Sequence, residues 1–244
     1  MKKILFFTLF ITTLFATSNE FQNKKVFSEK EAKELLNDFI GMTGESQEKF
    51  NKMISITIKD ENWQKASNSF YIKKNSVKLV KGAKQEVKIP DWKEALKFYK
   101  QSVIKSDNTL SAYQGLSLIN QFFMFMDSSN NSTKSIKEEI LDEYIPIFAE
   151  VLKKRGYCYG YTNLMKYEGN YNKNYEKALI IGNEGLGICK KQLSEKKIPS
   201  WLEMNYRKDF VRIKNIKKLK DEGKIIIEAD LSAKTENKAS NKVK

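Results

Sequence analysis

The chain has 244 residues, 44 Lys+Arg against 30 Asp+Glu, a formal charge of +14 and no histidine. An apolar content of 41% with 30% charged residues is that of a globular chain, neither a disordered one nor one that crosses a membrane many times. Without imidazole, Ser-His-Asp and Cys-His nucleophile systems, His-ligated zinc and His-ligated haem are excluded, and two cysteines cannot build a four-thiolate metal site; no motif for another cofactor stands out, and none is expected.

Met1 to Ser18 has the three parts of a secretory signal: Lys2 and Lys3, an apolar run from Ile4 to Ala16, and the small-x-small end Ala16-Thr17-Ser18. Thirteen residues at ~1.5 Å each span about 20 Å, short of the ~30 Å hydrocarbon core. Cleavage after Ser18 is therefore expected, with no following Cys to carry a lipid anchor and a periplasmic or secreted product. Loss of Lys2 and Lys3 takes the charge from +14 to +12. Such a charge attracts anionic partners, but only Arg155, Arg207 and Arg212 carry the guanidinium fork suited to phosphates and base edges. With export, this argues against nucleic acid.

Residues 19–59 read as N-terminal helices. Ser28 to Glu31 is a capping box, followed by Ala32, Leu35, Leu36, Phe39 and Ile40 on one face, with Gly41 and Gly44 as stops. Phe50, Met53, Ile54 and Ile58 mark a second helix, and a third starts near Asp60 with Trp63, Ala66, Phe70 and Tyr71. Residues 73–90 lose the helical period. Val77/Leu79 and Val87/Ile89 flank Lys81-Gly82-Ala83-Lys84 as in a small β-hairpin insertion. Helix resumes with Asp91 as N-cap and Glu94 completing its box, and continues as the apolar segment 109–126. A polar loop (127–133) precedes Ser135 to Glu138, which cap a helix to about Lys154 that Pro146 kinks or breaks and Gly156 ends. Helices near 157–168 and 174–193 follow, then one near 200–222 with Ser200 and Glu203 as its box. Residues 224–231 suggest a short strand, and 232–244 a tail with no apolar anchor.

Asp91 to Ser102 (DWKEALKFYKQS) sets small Ala95, aromatic Tyr99 and small Ser102 at the spacing of a repeat's second helix, and Asn174 to Ala178 (NYEKA) repeats its start, followed by Gly182 and Gly185. Trp63-x-x-Ala66-x-x-x-Phe70 and Ala112-Tyr113-x-Gly115-Leu116 stand where first helices belong. Over residues 60–195 the chain resembles the tetratricopeptide-repeat family. The longer Glu168 to Asn172 connection is more similar to Sel-like repeats. The expected fold is thus all-α: antiparallel helix-pair repeats in an α-solenoid, closed by a capping helix at 196–223, with residues 224–244 beyond it. The resemblance implies a scaffold for a protein or peptide partner, bound on a concave face of first helices, which puts Tyr113, Leu116, Asn120, Asn163 and Met165 forward as contact residues.

Cys158 and Cys189 fall near the start of one helix and the end of the next, which antiparallel packing brings together. In an exported chain the expected state is a structural disulfide, with buried free thiols or one reactive thiol as the other readings. Gly182 to Gly187 (GNEGLG) lies mid-helix without a preceding strand, so close helix packing, not phosphate binding, is expected. Six of 11 tyrosines lie between Tyr157 and Tyr175, read as inter-helix filler rather than a stacking platform for sugars or bases. A carboxylate-dependent wall hydrolase needs only two acids, and Glu138/Glu139 with Asp142/Glu143 are the densest acidic group, but their i, i+4 spacing equally makes a solvated helix face. No enzyme is expected. A second functional reading rests on residues 207–224, where Arg207, Lys208, Arg212, Lys214, Lys217 and Lys218 accompany Phe210, Val211, Ile213, Ile216 and Leu219. This basic amphipathic helix could contact anionic lipid, lipopolysaccharide or wall polymer, with the 73–90 insertion beside it.

Overall fold

Ser28 starts the first helix by the reciprocal cap its sequence predicts: its hydroxyl accepts from the Glu31 N–H at 3.3 Å, and the Glu31 carboxylate accepts from the Ser28 N–H at 3.0 Å. The computed structural model describes residues 26–76, 90–125 and 131–224. The leader, most of the expected hairpin (77–89), the first part of the expected polar loop (127–130), the expected strand at 224–231 beyond Lys224, and the tail lie outside the described residues. The helices are α1 (Glu29–Leu36), α2 (Asp38–Thr43), α3 (Gln47–Thr57), α4 (Glu61–Ser76), α5 (Pro90–Ser106), α6 (Thr109–Phe125), α7 (Asn131–Lys154), α8 (Cys158–Lys166), a π-helical turn (Tyr167–Tyr171), α9 (Tyr175–Ser194) and α10 (Ser200–Asp221). Among the described residues there is no strand; the fold is all-α.

From α4 to α10 each helix packs on the next, and α5 with α7 and α8 with α10 meet as second neighbours. The motif positions explain why. Trp63, Ala66, Ala95, Tyr99, Ser102, Ala112, Tyr113, Leu116 and Ala178 are all buried, the small ones where helices approach and the aromatic ones filling the space between. The α1–α3 segment folds back across this array, α3 against α6 and α2 against α8.

Several boundaries differ from the sequence reading, each for a local reason. Helix α4 continues to Ser76, past the expected start of the insertion. Gly41 lies inside α2, and Gly44 alone ends it in the left-handed region (φ 73°). Helix α5 starts at Pro90, in the first turn where a missing N–H costs nothing, so Asp91 is within the helix. Helix α7 starts at Asn131, which puts Ser135 inside it, and it runs through Pro146 without a break. At α10 the residue before the helix is Pro199, which has no N–H for Glu203 to reach; no side chain caps this end.

Cys158 and Cys189 are bonded, with Cα atoms 4.9 Å apart and both side chains buried. They tie the start of α8 to the C-terminal half of α9. A second tie is polar. Asp60 caps α4, accepting from the N–H groups of Asn62 (2.9 Å) and Trp63 (3.2 Å), while its other oxygen accepts from Ser102 (2.6 Å), Ser106 (3.3 Å) and Asn108 (3.2 Å). Asn108 in turn caps α6 by accepting from the Ser111 N–H at 3.1 Å. Burial alone would raise the Asp60 carboxyl, but the hydrogen bonds from Ser102, Trp63, Asn108 and Asn62 together outweigh it and hold it below the usual carboxylate range. The N-termini of α4 and α6 are thereby locked together through one carboxylate.

Candidate binding surfaces

Near the start of α6 and of α8, Phe39 packs between residues of both segments. Phe39 of α2 stands edge-on to Tyr113 (5.4 Å between ring centroids) and to Tyr157 (5.6 Å), and Tyr113 meets Tyr159 at 5.7 Å. Tyr113, Leu116 and Met165 are buried. Met165 faces the other way, toward Gly182 of α9 beside Phe210. Asn120 and Asn163 both attend Tyr159: the Asn120 amide donates to its hydroxyl at 2.7 Å and the Asn163 amide to its carbonyl at 2.8 Å. Three of the five contact residues proposed from sequence, Tyr113, Asn120 and Asn163, thus converge on Tyr159; Tyr113 is buried, Asn163 half-buried and Asn120 exposed.

The tyrosine cluster is mostly interior. Tyr157, Tyr159, Tyr161, Tyr167 and Tyr175 are buried, and Tyr171 is partly exposed. Two of the hydroxyls donate to carboxylates, Tyr157 to Glu45 and Tyr167 to Asp142 (3.1 Å), and that of Tyr159 accepts from the Asn120 amide. Burial pushes the Tyr159 phenol up to about 12, the Asn120 hydrogen bond offsetting part of the rise. Tyr99, Tyr113 and Tyr206 are raised by burial too, and Tyr157 by burial together with the Glu45 carboxylate. An unfolded phenol ionises near 10, so the stability contributed by buried, neutral Tyr159 is complete below pH 10 and disappears as pH rises through about 12. One pH unit above 10 that one group has lost about 1.4 kcal/mol. In an absorbance titration at 295 nm, the buried phenols are expected to ionise only together with loss of helical circular dichroism. Ionisation of all 11 tyrosines near pH 10 with the helices intact would contradict this.

The carboxylates of α7 form an exposed face tied to its neighbours. Lys93 of α5 bonds Glu139 at 2.6 Å and Lys100 bonds Glu143 at 3.0 Å, while Asp142 takes the Tyr167 hydroxyl. Glu138 is exposed beside them. Among the described residues no group of His, Cys, Asp and Glu is placed to hold a metal ion. No described helix is long and apolar enough to cross a membrane.

Helix α10 is where a surface remains open. Its inner face buries Leu202, Tyr206 and Ile213, with Phe210 and Ile216 partly covered; the Tyr206 hydroxyl donates to the Gly182 carbonyl. Gly182 and Gly185 accept this helix closely, since a Cβ at Gly185 would lie 2.6 Å from the Tyr206 hydroxyl, whereas Gly187 faces open space. Two of the three glycines therefore serve close packing, as their pattern implied. The six basic residues named from sequence separate into two kinds. Arg207 is paired with Glu203, Arg212 with Asp209 (2.8 Å), Lys217 with Asp221 (2.7 Å), and Lys218 lies 3.8 Å from Glu222. Lys208 and Lys214 are exposed and have no ion-pair partner among the described residues.

Sequence reasoning missed three features of this region. Glu203 is nearly buried, its side chain 7% exposed beneath Arg207. The π-helical turn seats Gly169 against Ile213, with Glu168 buried and bonded to Lys177 at 2.5 Å. Trp201 and Met204 join Val211 and Leu219 on the outer face; their positions, with Lys208 between, recur at three- and four-residue steps, a signal the emphasis on the inward stripe concealed. Compared with known protein families, curated proteins and solved structures, the chain matches none.

Proposed function

We propose that this chain is a non-catalytic binding module of the bacterial envelope, an array of tetratricopeptide- or Sel-like helix pairs working outside the cytoplasm, and that it meets an anionic partner through the outer face of α10. The observation that carries this reading is the segregation of charge on one helix. Along its length the side chains of Glu203 and Asp209 are only 7% and 14% exposed, the exposed Asp221 being its last residue, whereas Arg207, Lys208, Arg212, Lys214 and Lys218 all face water. A helix that merely caps an array needs no such sorting, since scattered charges of both signs solvate it equally well. The disulfide accords with an oxidising compartment. A protein or peptide held near the start of α6 and of α8 is the weaker reading, because it would have to displace Phe39 from a fully buried site.

Lys208 and Lys214 provide the test, since neutralising them strands no buried acid, as replacing Arg207 would strand Glu203. The chain, purified from the envelope as the cell processes it, is titrated with inorganic polyphosphate at low and at physiological salt. Binding should weaken steeply with salt. The double variant K208Q/K214Q should lose about 2 kcal/mol, roughly thirty-fold, at about 1 kcal/mol per cation near an anionic surface. K52Q/K97Q removes the same charge from exposed lysines on α3 and α5. Equal weakening by both pairs would reduce the effect to net charge and end the proposal.

A further inference from the structure

We infer that the anionic partner of α10 is a lipid bilayer surface, and that Trp201, Met204 and Val211 enter its headgroup layer. The inference rests on the α10 reading above and adds a feature that charge alone does not explain. A surface made for a dissolved polyanion has no use for apolar side chains in water. Yet Trp201 is 47%, Met204 61%, Val211 49% and Leu219 37% exposed. With Lys208 and Asn215 they form one line, residues 201, 204, 208, 211, 215 and 219, at the three- and four-residue steps that keep a helix face in register. Eighteen steps of 1.5 Å make this line about 27 Å long.

Cations border the line on both flanks, Arg207, Lys214 and Lys218 on one and Arg212 on the other. No carboxylate interrupts it between Trp201 and Leu219: Glu203 and Asp209 are nearly covered, and Asp221 and Glu222 lie beyond its end, Glu222 against Lys218 and Lys224. From the adjoining helix, Glu176 is taken by Lys217 at the inner border (3.7 Å). A helix lying in the bilayer interface requires this arrangement. The indole ring sits at headgroup depth, short apolar side chains reach the acyl boundary, and lysine and arginine stems extend sideways to the phosphates. The opposite face of α10 stays packed on α8 and α9, so the helix would rest on the membrane as an edge of the folded body.

The test uses the full exported chain with three probes: vesicles of equal parts phosphatidylglycerol and phosphatidylcholine, vesicles of phosphatidylcholine alone, and soluble inorganic polyphosphate. The expected results are a blue shift of tryptophan emission with the anionic vesicles only, loss of that shift in W201F, and vesicle binding weakened at least about ten-fold in M204S/V211S. Polyphosphate binding should stay within two-fold in the same variants, whose helical circular dichroism reports that they fold. If both vesicles and polyphosphate bind but neither W201F nor M204S/V211S changes anything, insertion is wrong while the charged contact stands. If neither probe binds, both readings fall. Self-association that M204S/V211S abolishes, without vesicle binding, would assign the line to a second copy of the chain and overturn the inference.

Discussion

Gly160→Ala is expected to abolish stable packing of the α7–α8 hairpin, at a cost of about 4 kcal/mol, above the usual range for overpacking because the obstacle is backbone. The hairpin turns within three residues. Gly156, at φ 74°, donates to the Lys153 carbonyl (2.8 Å) and Tyr157 to the Leu152 carbonyl (3.0 Å), which closes the end of α7 by paired reverse bonds. So short a connection drives the first turn of α8 onto the last turns of α7. A Cβ on Gly160 would meet the Lys153 backbone nitrogen, the Leu152 carbonyl carbon at 2.6 Å and the Leu152 Cβ at 2.8 Å. A flexible side chain could swing away; these atoms belong to a hydrogen-bonded helix and move only with it. Gly187→Ala is the matched control. It too is a helical glycine, but nothing lies within 4 Å of its added Cβ, so alanine should stabilise by roughly 0.5–1 kcal/mol. Chemical denaturation of both variants checks the pair. Similar midpoints for the two would show that the α7–α8 approach is slack.

Removal of the Cys158–Cys189 bond, as the double alanine variant, is expected to lower stability by about 3.7 kcal/mol. The cysteines are 31 residues apart, and closing a loop of that length in the unfolded chain accounts for the figure through lost chain entropy. For a chain of this size the melting temperature should fall by roughly 7–15 °C. The bond joins neighbouring antiparallel helices, so the fold should survive its loss. Thermal melts with and without reductant decide the matter: the wild-type protein should move toward the variant on reduction, and the variant should not respond. A variant that melts with the wild type would mean the unfolded chain already holds α8 near α9.

Much of the helical framework was legible in the residues because its causes are short-range. The Ser28–Glu31 box, the stops at Gly44 and Gly156, and the small and aromatic positions Ala95, Tyr99 and Ala178 each declare themselves within a turn or two. Where a boundary was misplaced, a competing local signal prevailed: Pro90 can open a helix, and Pro199 cannot complete a capping box. The surfaces were less legible. Arg207 and Lys208 are adjacent and alike in sequence, yet one covers a buried glutamate and the other is unpaired. Val211 and Ile213 belong to one apolar run, yet they lie on opposite faces of α10.

Composition and periodicity by themselves determined that this is a predominantly helical chain without imidazole chemistry, with a cysteine pair placed to bond and a cationic helix near residues 200–222. Those properties follow from covalent identity and from spacings of three or four residues. Only the tertiary structure decided that Phe39 packs against Tyr113 and Tyr157, which cations are neutralised, and which side of α10 is left to water. These outcomes depend on which helices meet across tens of residues of chain, and burial, which turns a residue type into a core or a contact, is a property of that meeting and not of the residue.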